Sequence, residues 1–364
     1  MSYSGKQSFS GNYVIRDLWT YLIRFIVDSG YWSIIYSDLS SGDSTDVMSY
    51  SISHDMTVSS LDTWVDMQSA TIYDIVVKSS DGSITYAEGT DYEVNNNIGR
   101  IKFLSSGSIA QNDTVHIDYT WKKTYIILYS TGVSGSEKIY IGIEPHIDPD
   151  GVHGNINWKA YKYWQEGMTH NDTTLGNPND WHVNSLWNSD ADLWLFVNPQ
   201  RVVSVTCVQT YYSSTYVGFF NRFLMPHEYN YPLCVVTSDW ASDNYDSTSD
   251  YRHFIPNSKN IDFMVEDNTW KGWLNSDNPG VLLPNQQDTG HLVQVHYPSN
   301  TPIGLLPIYI YYNSNIYGQL DNVYFTPAAI LASESEITIG NDTYIVFEDV
   351  FRHGWSQFMA IKEA

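Results

Sequence analysis

Four side chains that could hold a metal fall within eight positions in "PHIDPDGVHG": His146, Asp148, Asp150 and His153. A calcium loop of the EF-hand kind needs oxygen ligands at alternate positions, a central Gly and a Glu at the twelfth position. Counting from Asp148, that position is Lys159, which excludes the motif. A zinc site needs His or Cys at a defined spacing on defined elements, and His146 and His153 offer none. The plain reading is an Asp-Pro-Asp-Gly turn whose carboxylates cap backbone N–H groups. Neither a metal nor a cofactor is expected.

The other chemical constellations are weaker. There is no G-x-S-x-G elbow, no P-loop and no dinucleotide fingerprint. Asp239, Asp243, Asp246 and Asp250 cluster in "DWASDNYDSTSD". They read as a solvated loop, with a Ca²⁺ or sugar-contact loop as the alternative. Carboxylate pairs suited to glycoside hydrolysis arise by chance in so acidic a chain. Trp158, Trp164, Trp181, Trp187, Trp194, Trp240, Trp270 and Trp273 lie in or beside loop-rich stretches. Such rings pack loops onto sheets, fill subunit interfaces or stack on sugars. No catalytic residues are assigned.

The segment "RFLMPHEYNYPLCVVTSDW" is the strongest candidate for an interface. Pro226 and Pro232 fix φ and remove two N–H donors, while Tyr229 and Tyr231 offer contact area with a polar tip. The expectation is a strip along the domain surface that seats against a neighbour before the chain enters a sheet at Leu233.

These residues need elements to position them. "VIRDLWTYLIRFIVDSG" predicts an amphipathic helix, with Leu18, Leu22, Phe25 and Ile26 on one face and Gly30 as its stop. "YWSIIYSD" follows as a strand, whose partner is expected in the hairpin-like pair Tyr125 to Tyr129 and Lys138 to Ile143. Residues 58–122 read as short strands with turns at Ser80–Gly82, Glu88–Gly89, Asn95–Gly99 and Ser105–Gly107. That spacing predicts a small β-sandwich. In "TVHIDYTW", Val115, Ile117 and Tyr119 share one face, and Thr114, His116, Asp118 and Thr120 the other. Near the C-terminus, Gly340-Asn341-Asp342 marks a hairpin turn.

The fold class expected is mostly β (α+β). A loop-rich main domain with an N-terminal helix is formed by 1–57 and 123–364, and a small sandwich over 58–122 is inserted into it. With 15% aromatic and 42% hydrophobic residues the chain can bury a core, which separates it from disordered sequences. Its net charge of −23 repels phosphate backbones, so nucleic acid is not expected as a partner. Nor does any apolar run reach the length of a membrane span. The N-terminus shows no signal-peptide pattern. Cys207 and Cys234 lie in apolar strand-like runs and read as buried free thiols.

Taken together, these stretches resemble a family of tailed-bacteriophage virion structural proteins. The resemblance is carried by the helix entering "GYWSIIYSD" and by "SGSEKIYIGIE", similar to a "DEIYVGI" strand of that family. It continues in "LWLFVNPQRVVSVTCVQTYYSSTYVGFFNRFLMPHEYNYPLCVV" and in the C-terminal stretch from "YGQLDNVYFT" to "FMAIKEA". Within 58–122, "GTDYEV", "GRIKFL" and "GSIAQNDTVHIDYTW" look like an Ig-like module found in phage tail tube and baseplate proteins.

The resemblance implies a non-enzymatic, multi-copy subunit of the virion, made in the host cytoplasm. Its partners would be tail tube, sheath, baseplate or neck subunits and further copies of itself. A neck, collar or capsid-attached protein is the first alternative. A carbohydrate-binding adhesin that contacts host surface glycan is the second, and an enzyme acting on cell-surface polysaccharide the third.

Overall fold

The computed structural model describes residues 3–39, 49–147, 154–165, 167–168, 182–186, 189–208, 211–223, 232–237, 261–264, 270–271, 280–282, 305–312, 315–326, 333–348 and 358–363. The chain opens with β1 (Tyr3–Phe9), the helix α1 (Val14–Asp28) and β2 (Ser33–Ser37). A compact run follows: β3 (Ser49–Thr57), β4 (Trp64–Asp66), β5 (Ile72–Ser79), β6 (Tyr92–Asn95), β7 (Arg100–Phe103) and β8 (Thr114–Lys122). Next come β9 (Ile126–Ser130), β10 (Ile139–Ile147), β11 (Gly154–Tyr161) and β12 (His182–Ser185). Then come β13 (Ala191–Val197), β14 (Arg201–Val208), β15 (Tyr211–Phe219), β16 (Asn221–Arg222) and β17 (Leu233–Thr237). The described strands end with β18 (Ile261–Met264), β19 (Trp270–Lys271), β20 (Gly280–Leu282), β21 (Leu306–Tyr312), β22 (Asn315–Thr326), β23 (Glu336–Ile339), β24 (Asp342–Glu348) and β25 (Phe358–Lys362). The protein is mostly β with one helix among the described residues, as its composition of Tyr, Thr, Ile and Val requires.

Three of the sheets stack in layers. The central one runs β1-β13-β14-β15-β17-β18-β19, all antiparallel. On one side, Leu193, Leu195, Val202, Val217 and Val235 pack against α1 and against Ile126, Leu128, Ile139, Ile141 and Trp158 of a second sheet, β12-β11-β10-β9-β2. On the other side, Trp194, Phe196, Val203, Val205 and Tyr216 pack against Ile310, Leu320, Val323, Phe347 and Ile361 of a third, built on β20-β21-β22-β25-β24-β23. A strand covered on both faces has no solvent side to display, so its sequence loses the polar alternation of a half-buried strand. Hence "RVVSVTCV" of β14 is buried along its whole length. Its Ser204 and Thr206 are admitted because Asn184 of β12 bonds both hydroxyls across the layer.

The helix has the amphipathic face expected, with Leu18, Leu22 and Ile26 buried against the sheets. Gly30, at φ +73°, takes the left-handed conformation that stops it. The strand after it, β2, pairs with β9, as anticipated, through a bulge between Ile34 and Tyr36.

The strands between β2 and β9 form a small β-sandwich. One sheet is β3-β8-β5 and the other β4-β7-β6. Val77, Tyr92, Ile101, Phe103, Val115, Ile117 and Tyr119 fill the space between them. β3 lies before residue 58 yet pairs with β8 along its full length, from Ser49↔Lys122 to Thr57↔Thr114. The sandwich therefore draws on residues from 49 onward.

A second face of α1 holds the sandwich in place. Arg24 donates to the carbonyls of Gly99 (2.6 Å), Ile98 (2.7 Å) and Met67 (2.8 Å). The Trp19 indole donates to Thr71 Oγ1, and the Ala70 N–H donates to Thr20 Oγ1. At the end of the helix, Arg100 bridges Asp28 and Asp66.

Candidate functional site on the small sandwich

Period-2 geometry sorts the residues of β8. Val115, Ile117, Tyr119 and Trp121 turn into the core, which leaves Thr114, His116, Asp118 and Thr120 on the outer face. β3 alternates in the same way, with Ser49, Ser51, Ser53, Asp55 and Thr57 exposed. The register sets Ser53 opposite Asp118 and Asp55 opposite His116, while Lys78 of β5 lies opposite His116 on the other side.

These neighbours form one hydrogen-bonded cluster. His116 Nδ1 lies 2.7 Å from Asp55 Oδ1, and its Nε2 lies 2.9 Å from Ser53 Oγ. Ser53 Oγ donates to Asp118 Oδ1 at 2.6 Å, and Lys78 Nζ reaches Asp118 Oδ2 at 3.0 Å. The order serine, histidine, aspartate matches that of a nucleophile, a base and an orienting carboxylate.

The details point to a different chemistry. A base must take the serine proton, yet Ser53 gives its proton to Asp118. His116 is held above the usual histidine range, chiefly by its bond to Asp55 and then by the charge of Asp118. The shift favours the protonated ring, and a protonated ring cannot act as a base. Asp118 is held below the usual carboxylate range by the donors Ser53 and Lys78. The arrangement is thus a charge-balanced lattice across three strands, two cations against two anions when His116 is protonated. Val76 (36% exposed), opposite Asp118 in the register, sets apolar surface beside it. Fixed polar groups with an exposed apolar side chain beside them suit a protein contact surface.

The residues singled out from sequence are placed as follows. Pro232 is buried at the entrance to β17, and its carbonyl accepts from the Phe220 N–H. Pro226, Tyr229 and Tyr231 lie outside the described residues. His146 is in β10, while Asp148, Asp150, His153 and the Asp239–Asp250 cluster lie outside them. Among the described residues, no group of three or more His, Cys, Asp or Glu is arranged to hold a metal ion. Trp158 and Trp194 are buried within β11 and β13, where they pack sheets rather than line a surface. Trp164 rests on Tyr36 at 5.7 Å between ring centroids. Trp270 falls in β19, and Trp181, Trp187, Trp240 and Trp273 lie outside the described residues. Cys207 and Cys234 are buried and not joined in a disulfide.

Sequence reasoning placed His116 and Asp118 on one face but missed Ser53, Asp55 and Lys78. A signal existed for the first two, since "SYSISHDMT" alternates small polar with larger residues. Lys78 could be joined to them only through the register of β5, which contains a bulge.

Over residues 38–132 the chain is similar to a family described as "Protein of unknown function UCP028589". That stretch holds the whole small sandwich, with its charged face, and is well under half of the chain. No curated protein matches the chain.

Proposed function

We propose that the chain is a non-enzymatic structural subunit of a tailed-bacteriophage virion, most closely associated with the tail or baseplate, that works through protein–protein interfaces in a multi-copy assembly. The resemblance of its helix-to-strand entry, its "SGSEKIYIGIE" strand and its C-terminal stretch supports this reading. The structural observation that carries it is the Ser53–His116–Asp118 cluster. Its serine proton is committed to a carboxylate and its histidine is biased toward the cation. A preset, charge-balanced face of this kind is suited to recognition rather than turnover. The acidic net charge of −23 would keep free subunits apart and soluble before assembly.

The test is cryo-EM of whole particles with this chain traced in the density. The reading expects a ring or a peripheral array around the tail. A chain expressed during infection but absent from particles would refute it, and release of reducing sugar from host envelope would then decide for an enzyme.

A further inference from the structure

Among the described residues every sheet ends in edge strands, and natural proteins blunt such edges with shortness, Lys, Pro or bulges. β3 is the longest of them at nine residues. Its sequence, SYSISHDMT, holds neither Lys nor Pro, and its pairing with β8 runs without a bulge. The opposite edge of the same sheet is treated differently. β5 is broken by a register shift between Tyr73 and Val76, with Asp74 at φ +51°, and is partly covered where Thr85 bridges Lys78. One edge is thus interrupted and partly covered, and among the described residues nothing pairs with the other.

β3 is also self-complementary. A two-fold interface must bring residue i against j and j against i. Antiparallel pairing of two β3 strands about Ser53 sets Ser49 against Thr57 of the second copy, Ser51 against Asp55, and Ser53 against Ser53. On the inner face, Tyr50 meets Met56 and Ile52 meets His54. No like charges stand directly opposite one another, and small hydroxyl side chains with one Asp55 from each copy line the outer face. We infer that the free edge of β3 joins two copies of this chain, merging two three-stranded sheets into one continuous sheet of six strands. This rests on the multi-copy reading above and names one of its contacts. Because each copy is strongly acidic, long-range repulsion opposes the pairing, and added salt tightens it by screening.

Ser51 gives a test of the register, because it is exposed and lies outside the charged cluster. Ser51→Asp sets like charges opposite Asp55 twice per dimer, and Ser51→Lys sets opposite charges there. Sedimentation of the full chain at increasing salt should show wild-type dimers. Ser51→Asp should weaken them about five-fold or more, from two like-charged cross-strand pairs, and Ser51→Lys should match or tighten them. Equal melting temperatures for the three proteins would establish that folding is unaffected. A wild-type chain that stays monomeric at the highest attainable concentration and salt overturns the inference, and so does equal weakening by both substitutions. If dimers behave as expected but particles lack the chain, the virion reading fails and the edge contact stands. If particles contain the chain and Ser51→Asp copies pair as well as wild type, the contact alone fails.

Discussion

The guanidinium of Arg24, on α1, donates to the carbonyl of Gly99, at the turn between β6 and β7, over 2.6 Å. This bond ties the only described helix to the small sandwich. Gly99 suits the position because its φ of +63° is left-handed and because a Cβ there would run into the Ser69 carbonyl. Arg24→Met keeps the buried stem but leaves the carbonyls of Gly99, Ile98 and Met67 short of a charged donor. The expected loss is about 2–4 kcal/mol, read as a lower denaturation midpoint. Amide exchange around Gly99 should rise first. An unchanged midpoint would show that the sandwich is held by its apolar contacts alone.

The two sandwich histidines near β3 should respond to pH in opposite directions. His116 is held above the ordinary value of 6.5 by Asp55 and Asp118. Its contribution to stability is therefore fully present below 6.5 and is lost as pH rises through the raised folded value. His54, on the inner face, is pushed below 6.5 by desolvation. Its contribution is present above 6.5 and is lost as pH falls through the lowered folded value. The gap in melting temperature between wild type and His116→Gln should be widest below pH 6.5 and should close as pH is raised. His54→Phe should do the reverse and flatten the acid side of the curve. A His116→Gln gap that grows with pH would mean that the ring is neutral in the fold.

Local order was legible where one side of an element faces water. Leu18, Leu22, Phe25 and Ile26 mark the helix face that meets the sheets, and Val115, Ile117 and Tyr119 mark the sandwich core. The turn at Gly340 and Asn341 joins β23 to β24 where the Gly-Asn-Asp signal stood. What was not legible depends on long-range pairing. Nothing in "RVVSVTCV" tells that it is covered on both faces, because a strand in a central layer has no polar stripe to count. Ser53 and His116 are 63 positions apart, and only the β3–β8 register brings them together. Arg24 sits on the side of α1 away from that apolar face, and its partners are backbone carbonyls that leave no mark in sequence.

Thiol chemistry should report on unfolding. Cys207 is pushed up to about 11, chiefly by burial, and Cys234, fully enclosed, is pushed well above the usual thiol range. The thiolate is the reactive species, so native protein should react with a thiol reagent only as fast as it opens. Both cysteines should label together at the denaturant midpoint. Rapid labelling of either one in the native protein would contradict its burial between the central and third sheets.

The buried cation Arg201 links those two sheets, and its counter-ion should be costly to remove. It is fully enclosed, donates from Nη1 to the Phe196 carbonyl (2.6 Å) and from Nε to the Asp321 carbonyl (3.3 Å), and lies 3.7 Å from the Asp321 carboxylate. That carboxylate also accepts from Asn198 (2.7 Å), Asn221 (3.0 Å) and Asn322 (3.1 Å). Asp321→Ala would leave a buried positive charge without its counter-ion and three amides without their acceptor. A loss of about 3–5 kcal/mol is expected, as for one half of a buried pair. Removing both charges, as Arg201→Met with Asp321→Leu, avoids the uncompensated ion and should cost less than Asp321→Ala alone. Chemical denaturation of the three proteins decides the point. If the double variant is the least stable, the two charges act independently, and the carbonyl contacts of Arg201 hold the layers together rather than the ion pair.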